Sequence, residues 1–103
     1  MGPPDSNSAN SPDNGRPRVG RLFRLQWEAA QNAWVLLYPE GMVKLNTSAA
    51  EILRRCDGTR SVSDILAELQ KTFPAAPVAT EVPAFLRLAA EKGWIEWHAG
   101  PGP

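Results

Sequence analysis

The sequence predicts an α+β fold in which a three-stranded antiparallel meander is followed by three helices. Apolar and polar residues alternate along residues 23–28, which is typical of a half-buried strand. From residue 49 onward, apolar residues instead recur every three or four positions, which is typical of amphipathic helices. A short chain that changes from one period to the other favours a sheet covered on one face by helices.

The two ends of the chain are predicted to lie outside this fold. The first 18 residues contain only Met1 and Ala9 from the apolar set, and the others are Gly, Pro, Ser, Asn, Asp and Arg. Such a segment cannot bury enough surface to offset its ordering entropy, so residues 1–18 are expected to be disordered. Residues 99–103 are expected to form a flexible C-terminal tail. Residues 19–98 then remain as one domain with a modest core.

The meander is predicted from three short runs of strand-forming residues separated by turn residues. The strands are residues 23–28, 33–38 and 42–46, and the turns are residues 29–32 and 39–41. In the third strand, Val43 and Leu45 share one face, whereas Met42 and Lys44 share the other. This strand is the edge of the meander, and an edge strand can accept an extended peptide as a further strand. The alternative is that residues 94–97 form a terminal strand or extended segment that covers this edge.

The ends of the helices are predicted from capping and turn residues. Ser48 with Glu51, and Ser61 with Asp64, fit the capping-box spacing at the starts of the first and second helices. Asp57-Gly58 supplies the turn between them, because Gly tolerates positive φ and Asp bonds its own backbone.

The third helix is expected to begin near Thr80, so that Pro83 falls in the first turn, and to end at Gly93. Each helix has an apolar stripe. The stripe of the first helix contains Ala49, Ile52, Leu53 and Cys56, that of the second Val62, Ile65, Leu66, Leu69 and Phe73, and that of the third Val82, Phe85, Leu86 and Ala89. We expect Ile52, Leu53, Ile65, Leu66 and Leu69 to be buried.

Composition excludes several classes of function. The zero net charge counts against nucleic acid as the main partner, because phosphate binding needs a concentrated positive field. The single cysteine excludes an intrachain disulfide and a cysteine-based metal site. No apolar run approaches the roughly 20 residues that span a bilayer, and the N-terminus lacks the apolar core of a signal peptide. We therefore expect a cytoplasmic protein without membrane association.

No residue pattern indicates catalysis. Cys56 lies on an apolar helix stripe, where a thiol is inert, and His98 has no partner at ligand spacing. We therefore expect no catalytic residue, no metal and no cofactor. Two surface features remain open. Arg54, Arg55, Arg60 and Lys71 form either a weak basic patch or a solvated helix face. Trp27, Trp34, Trp94 and Trp97 belong either to the core or to an interaction surface.

Residues 21–97 resemble the pyrroloquinoline quinone biosynthesis protein D (PqqD) family of precursor-peptide recognition elements. The matching features are the Trp-rich meander, the run Leu45-Asn46-Thr47-Ser48-Ala49-Ala50-Glu51-Ile52-Leu53 leading into Cys56-Asp57-Gly58, the helix with Val62, Ile65, Leu66 and Leu69, and the Phe85-Leu86 helix ending at Gly93-Trp94-Ile95. Together these features are fairly specific, whereas each alone is weak.

The resemblance implies a winged-helix-like fold and a non-catalytic peptide chaperone. Such proteins bind the ribosomal precursor peptide PqqA and present it to the radical SAM enzyme PqqE, which joins a Glu and a Tyr side chain of the peptide. In this class the peptide adds to the third strand and lies against the third helix. Carried onto this chain, the peptide-binding residues are Met42, Val43, Lys44, Leu45, Asn46, Phe85, Leu88 and Ala89. A monomer is expected.

Two alternatives stay open at this point. One is a recognition element for a different modified peptide, since the identity of the peptide is not readable from the domain. The other is a winged-helix nucleic-acid-binding module, against which the zero net charge and the sparse basic residues of the second and third helices count.

Overall fold

The computed structural model describes residues 15–99 and contains five strands and three helices within that range. In chain order they are β1 (Gly15–Val19), β2 (Arg24–Glu28), β3 (Ala33–Tyr38), β4 (Gly41–Lys44), α1 (Thr47–Leu53), α2 (Val62–Thr72), α3 (Val78–Glu91) and β5 (Ile95–Ala99). The predicted α+β class, with a three-stranded antiparallel meander followed by three helices, is confirmed. Residues 1–14 and 100–103 of the predicted tails lie outside the described residues.

The meander has the strand order β2-β3-β4. Leu36 of the central strand lies opposite Leu25 on one side and Val43 on the other, so these three apolar side chains share one face. That face carries Leu36 into the helix-covered core, where its side chain is fully buried. The helices thus cover one face of the sheet.

A second, two-stranded sheet was not predicted. β1 pairs antiparallel with β5, from Gly15 opposite Ala99 to Val19 opposite Ile95. The prediction was therefore wrong for residues 15–18, which form a strand instead of a disordered tail, and for Ala99, which ends β5. The terminal strand that was left open for residues 94–97 does form, as β5, but the alternative that it covers the edge of the meander is wrong, because β5 pairs with β1.

The reason lies in backbone pairing that composition does not reveal. Besides its ladder with β5, β1 contacts the turn after α1: Val19 N donates to Cys56 O and Gly58 N donates to Pro17 O, both at 3.0 Å. The Pro17 side chain is fully buried. A segment with few apolar residues is therefore held by partners distant in the sequence.

Deleting residues 1–19 is expected to lower the thermal midpoint by at least several degrees, because it removes β1 and leaves the β5 backbone groups and Ile95 uncovered. Deleting residues 1–14 is the control and is expected to leave the midpoint unchanged within error. Differential scanning calorimetry of the two truncations measures this. Equal midpoints for both truncations would show that β1 does not contribute to stability.

The starts of α1 and α2 differ in how well the sequence predicted them. Asn46, not Ser48, is the N-cap of α1: its extended backbone places Oδ1 2.8 Å from the Ala49 amide nitrogen. The prediction of Ser48 as the N-cap was wrong because the helix starts directly after the pairing of β4 ends. Its N-cap therefore lies two residues earlier than the capping-box pattern indicates. For α2 the Ser61–Asp64 capping box is confirmed, with reciprocal distances of 3.1 Å and 2.9 Å.

The third helix begins at Val78 with Pro77 as its N-cap, earlier than the predicted start near Thr80. The Pro77 carbonyl accepts from the Glu81 amide at 3.0 Å, which closes the first helical turn. Pro83 consequently lies inside the helix and not in its first turn. The predicted end is confirmed: Gly93 has φ of 76°, its amide donates to Ala90 O, and the Trp94 amide donates to Ala89 O, as in a Schellman motif.

Burial follows most of the predicted stripes. Ile52, Leu53, Ile65 and Leu69 are buried as predicted. Leu66 is only partly buried, and Phe73 is exposed, because α2 ends at Thr72 and Phe73 already leaves the helical conformation. Most of the buried apolar residues form one cluster between the sheet and the three helices, whereas Val35 and Pro17 are fully buried outside it.

Candidate functional site

A cleft of about 410 Å³ lies between the open edge of β4, the start of α1 and one face of α3. We call it the β4–α3 cleft. Of the predicted site residues, the structure brings six together along it: Val43, Lys44, Leu45, Asn46, Phe85 and Leu88. Its other lining residues are Ser48, Ala49, Ile52, Glu81 and Trp94.

Two predicted site residues lie outside the lining of the β4–α3 cleft. Ala89 has no exposed surface and packs in the core, so its side chain supports α3 from behind. Met42 is 44% exposed and lies opposite Leu37 near the β3–β4 turn, outside the residues that line the cleft.

The backbone of β4 determines what the cleft offers chemically. Leu45 N donates to Trp34 O at 3.0 Å, and Tyr38 and Gly41 close the hairpin, so residues 41, 43 and 45 direct their polar backbone groups toward β3. Met42 and Lys44 therefore direct theirs outward. Within residues 15–99, no strand pairs with this side of β4. The edge thus presents alternating donors and acceptors to an extended chain.

The opposite wall of the cleft is apolar. Leu88 is 44% exposed there and lines the cleft together with Phe85 and Trp94. Phe85 and Trp94 pack with ring centroids 6.3 Å apart, and the Lys92 ammonium lies 5.8 Å from the Trp94 ring centroid. The aromatic pair forms part of this wall.

Five lining residues were not among the predicted site residues: three belong to α1, and the other two are Glu81 and Trp94. Glu81, Phe85 and Leu88 follow the i, i+4, i+7 spacing of one helix face, so helical period alone places Glu81 beside the two predicted residues. Trp94 was noted as one of four tryptophans, as part of the terminal segment 94–97 and in the family match, but not as a site residue; its place in the cleft depends on the chain reversal at Gly93. No pattern in the neighbouring sequence indicates in which direction the chain runs after this reversal.

Ion pairs occupy the arginines that were considered as a basic patch. Arg55 contacts Glu51 at 2.8 Å and Glu68 at 3.2 Å, and Arg60 contacts Glu68 at 2.7 Å and Asp57 at 2.9 Å. Hydrogen bonds from Thr59 lower the pKa of Asp57, which keeps it ionised beside Arg60. These carboxylates offset the positive charge at the α1–α2 surface.

Cys56 lies in surroundings that make its thiol unreactive. Burial, followed by the nearby Asp57 charge, raises the pKa of Cys56 to about 12, so this thiol stays protonated. Among residues 15–99, no three His, Cys, Asp or Glu side chains converge as metal ligands. In the same range, every helix is too short or too polar to cross a membrane.

The fold and the cleft together define a small α+β domain with an open sheet edge beside an apolar helix face. The chain belongs to the PqqD family, because the family model for coenzyme PQQ synthesis protein D matches residues 33–95. It is 54% identical over 86 residues to the PqqA binding protein of Azotobacter vinelandii, covering 82% of this chain and 94% of that one. It is also 54% identical over 81 residues to that of Stutzerimonas stutzeri, covering 78% of this chain and 88% of the relative.

A solved structure has the same fold. The solution NMR structure of the PqqD truncation of Methylobacterium extorquens PqqCD, described as a stand-alone recognition element for ribosomally synthesised and post-translationally modified peptides, matches with a TM-score of 0.63. The two are 33% identical, and the match covers 88% of this chain and 98% of the other.

Proposed function

We propose that this protein binds the precursor peptide PqqA as an added strand along β4, with apolar peptide side chains in the β4–α3 cleft. The observation that carries the proposal is the open edge of β4 facing Phe85 and Leu88 of α3. Relatives with about half of their residues identical are PqqA binding proteins, which supports PqqA as the peptide.

Each part of the cleft has a separate role in this binding. The outward backbone groups of Met42 and Lys44 supply hydrogen bonds that any extended chain can make. Val43 and Leu45 pack the strand against the core. Phe85, Leu88 and Trp94 form the apolar wall that contacts the side chains of the peptide. Ala89 keeps α3 against the core.

We further propose that the bound peptide is presented to the radical SAM enzyme PqqE for the joining of its Glu and Tyr side chains. In this proposal the protein is a cytoplasmic, monomeric chaperone without catalytic residues. A strand added at β4 is held by one edge and one face, so its other edge stays accessible to a second protein. That geometry suits a carrier that passes its peptide on.

Replacing Lys44 by proline tests the backbone part of the proposal. The Lys44 amide points away from β3, so proline removes an edge donor without breaking a bond of the meander. We expect PqqA peptide to bind about fivefold more weakly, in line with the loss of one backbone hydrogen bond. Isothermal titration calorimetry with synthetic PqqA measures the change.

The matched control for this test is Lys44→Ala, which removes the charge and keeps the amide. It is expected to bind the peptide almost as well as the unaltered protein. Equal losses for both variants would mean that the Lys44 side chain, and not the strand edge, holds the peptide.

A further inference from the structure

A second, smaller pocket adjoins the β4–α3 cleft. It has a volume of about 120 Å³ and lies between α1, the end of α2 and the start of α3; we call it the α1–α2–α3 pocket. The two cavities share three lining residues, Ser48, Ile52 and Glu81. The two cavities therefore adjoin each other where the start of α1 meets Glu81 of α3.

The walls of the α1–α2–α3 pocket are apolar although the pocket is open to solvent. Leu69, Val78 and Val82 line its base, and Phe73, which is 37% exposed, stands at its rim. Its volume suits one aliphatic side chain, because cavities of comparable size with similar lining accept small apolar molecules.

A carboxylate marks the junction of the two cavities. Glu81 lies in the first turn of α3 and lines both of them. Within the described part of the chain, no Lys or Arg forms an ion pair with it. A cation supplied by a bound chain complements this charge.

We infer that a second segment of the precursor peptide occupies the α1–α2–α3 pocket, inserting an aliphatic side chain there and placing a Lys or Arg beside Glu81. The inference rests on the proposed binding at β4. Pairing with β4 stops at Asn46, where the chain turns into α1. A peptide that extends past this point crosses the start of α1, where the shared lining residues place Glu81 and the pocket next to the cleft.

An NMR titration of the isotope-labelled protein with synthetic PqqA peptide tests the path directly. We expect amide shifts at Leu69, Phe73 and Val78 in addition to shifts at residues 42–46. Shifts restricted to residues 42–46 and α3 from Phe85 onward would overturn the inference and leave the proposed function standing. An absence of shifts at both places would overturn the inference and the proposed function together.

Charge and rim variants test the two contacts separately. Glu81→Gln is expected to weaken peptide binding roughly two- to fivefold and to reduce its salt dependence, as for loss of one exposed ion pair. Glu91→Gln is the matched control, because Glu91 lies on the same helix and lines neither cavity. Phe73→Ala is expected to weaken binding about fivefold, as for loss of one apolar contact surface.

Thermal midpoints and amide spectra of the free variants separate lost contacts from lost structure. If Glu81→Gln and Phe73→Ala both fold and bind the peptide as tightly as Glu91→Gln, the second segment does not occupy the pocket.

Discussion

Replacing Leu53 by alanine is expected to destabilise the protein by about 2–5 kcal/mol, because it opens a cavity at a fully packed position. The Leu53 side chain is 1% exposed and belongs to the cluster between the sheet and the helices. A domain of this size has a small core and a marginal free energy of unfolding, so this loss is a large fraction of the total. Urea denaturation followed by tryptophan fluorescence measures it.

Leu22→Ala is the matched control for this substitution. Leu22 is 68% exposed, so the same truncation there is expected to change the free energy of unfolding by less than about 0.5 kcal/mol. Leu66→Ala is expected to lie between the two, because Leu66 is only partly buried. Similar losses at all three positions would show that burial does not determine which residues hold the fold.

Features determined by neighbouring residues were predictable from the sequence. The boundaries of β3 coincide with the predicted run, because a short apolar segment between two turn signals has few alternatives. The Ser61–Asp64 capping box and the Gly93 cap were predictable for the same reason, since each depends on contacts within a few residues.

Features that depend on distant partners were not predictable in this way. β1 is short and contains Pro17, and only the β5 ladder and the Cys56–Gly58 turn make it a strand. The N-cap of α1 is Asn46 and not the predicted Ser48, because the helix starts where the pairing of β4 ends. The apolar stripe of α2 likewise does not indicate that Leu66 lies at the margin of the core.

The candidate site shows the same division. The edge character of β4 followed from strand order, and the helix face that carries Phe85 and Leu88 followed from helical period. The contribution of Trp94 depends on the chain reversal after α3, and the neighbouring sequence does not predict the direction of that reversal. Ala89 was assigned to the site through family resemblance, and its complete burial gives it a supporting position instead.

Replacing Leu88 by aspartate is expected to weaken PqqA binding by about tenfold or more while leaving the fold intact. Leu88 is 44% exposed in the free protein, so the carboxylate stays solvated there. A bound peptide would cover this position and bury an unpaired charge against an apolar surface, which is costly. Calorimetric titration with synthetic peptide measures the affinity, and the free variant's thermal midpoint reports on the fold.

Ala79→Asp is the matched control, because it adds the same charge to an exposed position of α3 nine residues earlier, on the opposite side of the helix. It is expected to bind the peptide normally. Because the bound peptide is the form that we propose is passed to PqqE, Leu88→Asp is also expected to slow crosslinking when the chaperone is limiting, and Ala79→Asp is not. Peptide-induced amide shifts confined to α1 and α2, with residues 42–46 unmoved, would contradict the assignment of the β4–α3 cleft even if PqqA is the correct ligand.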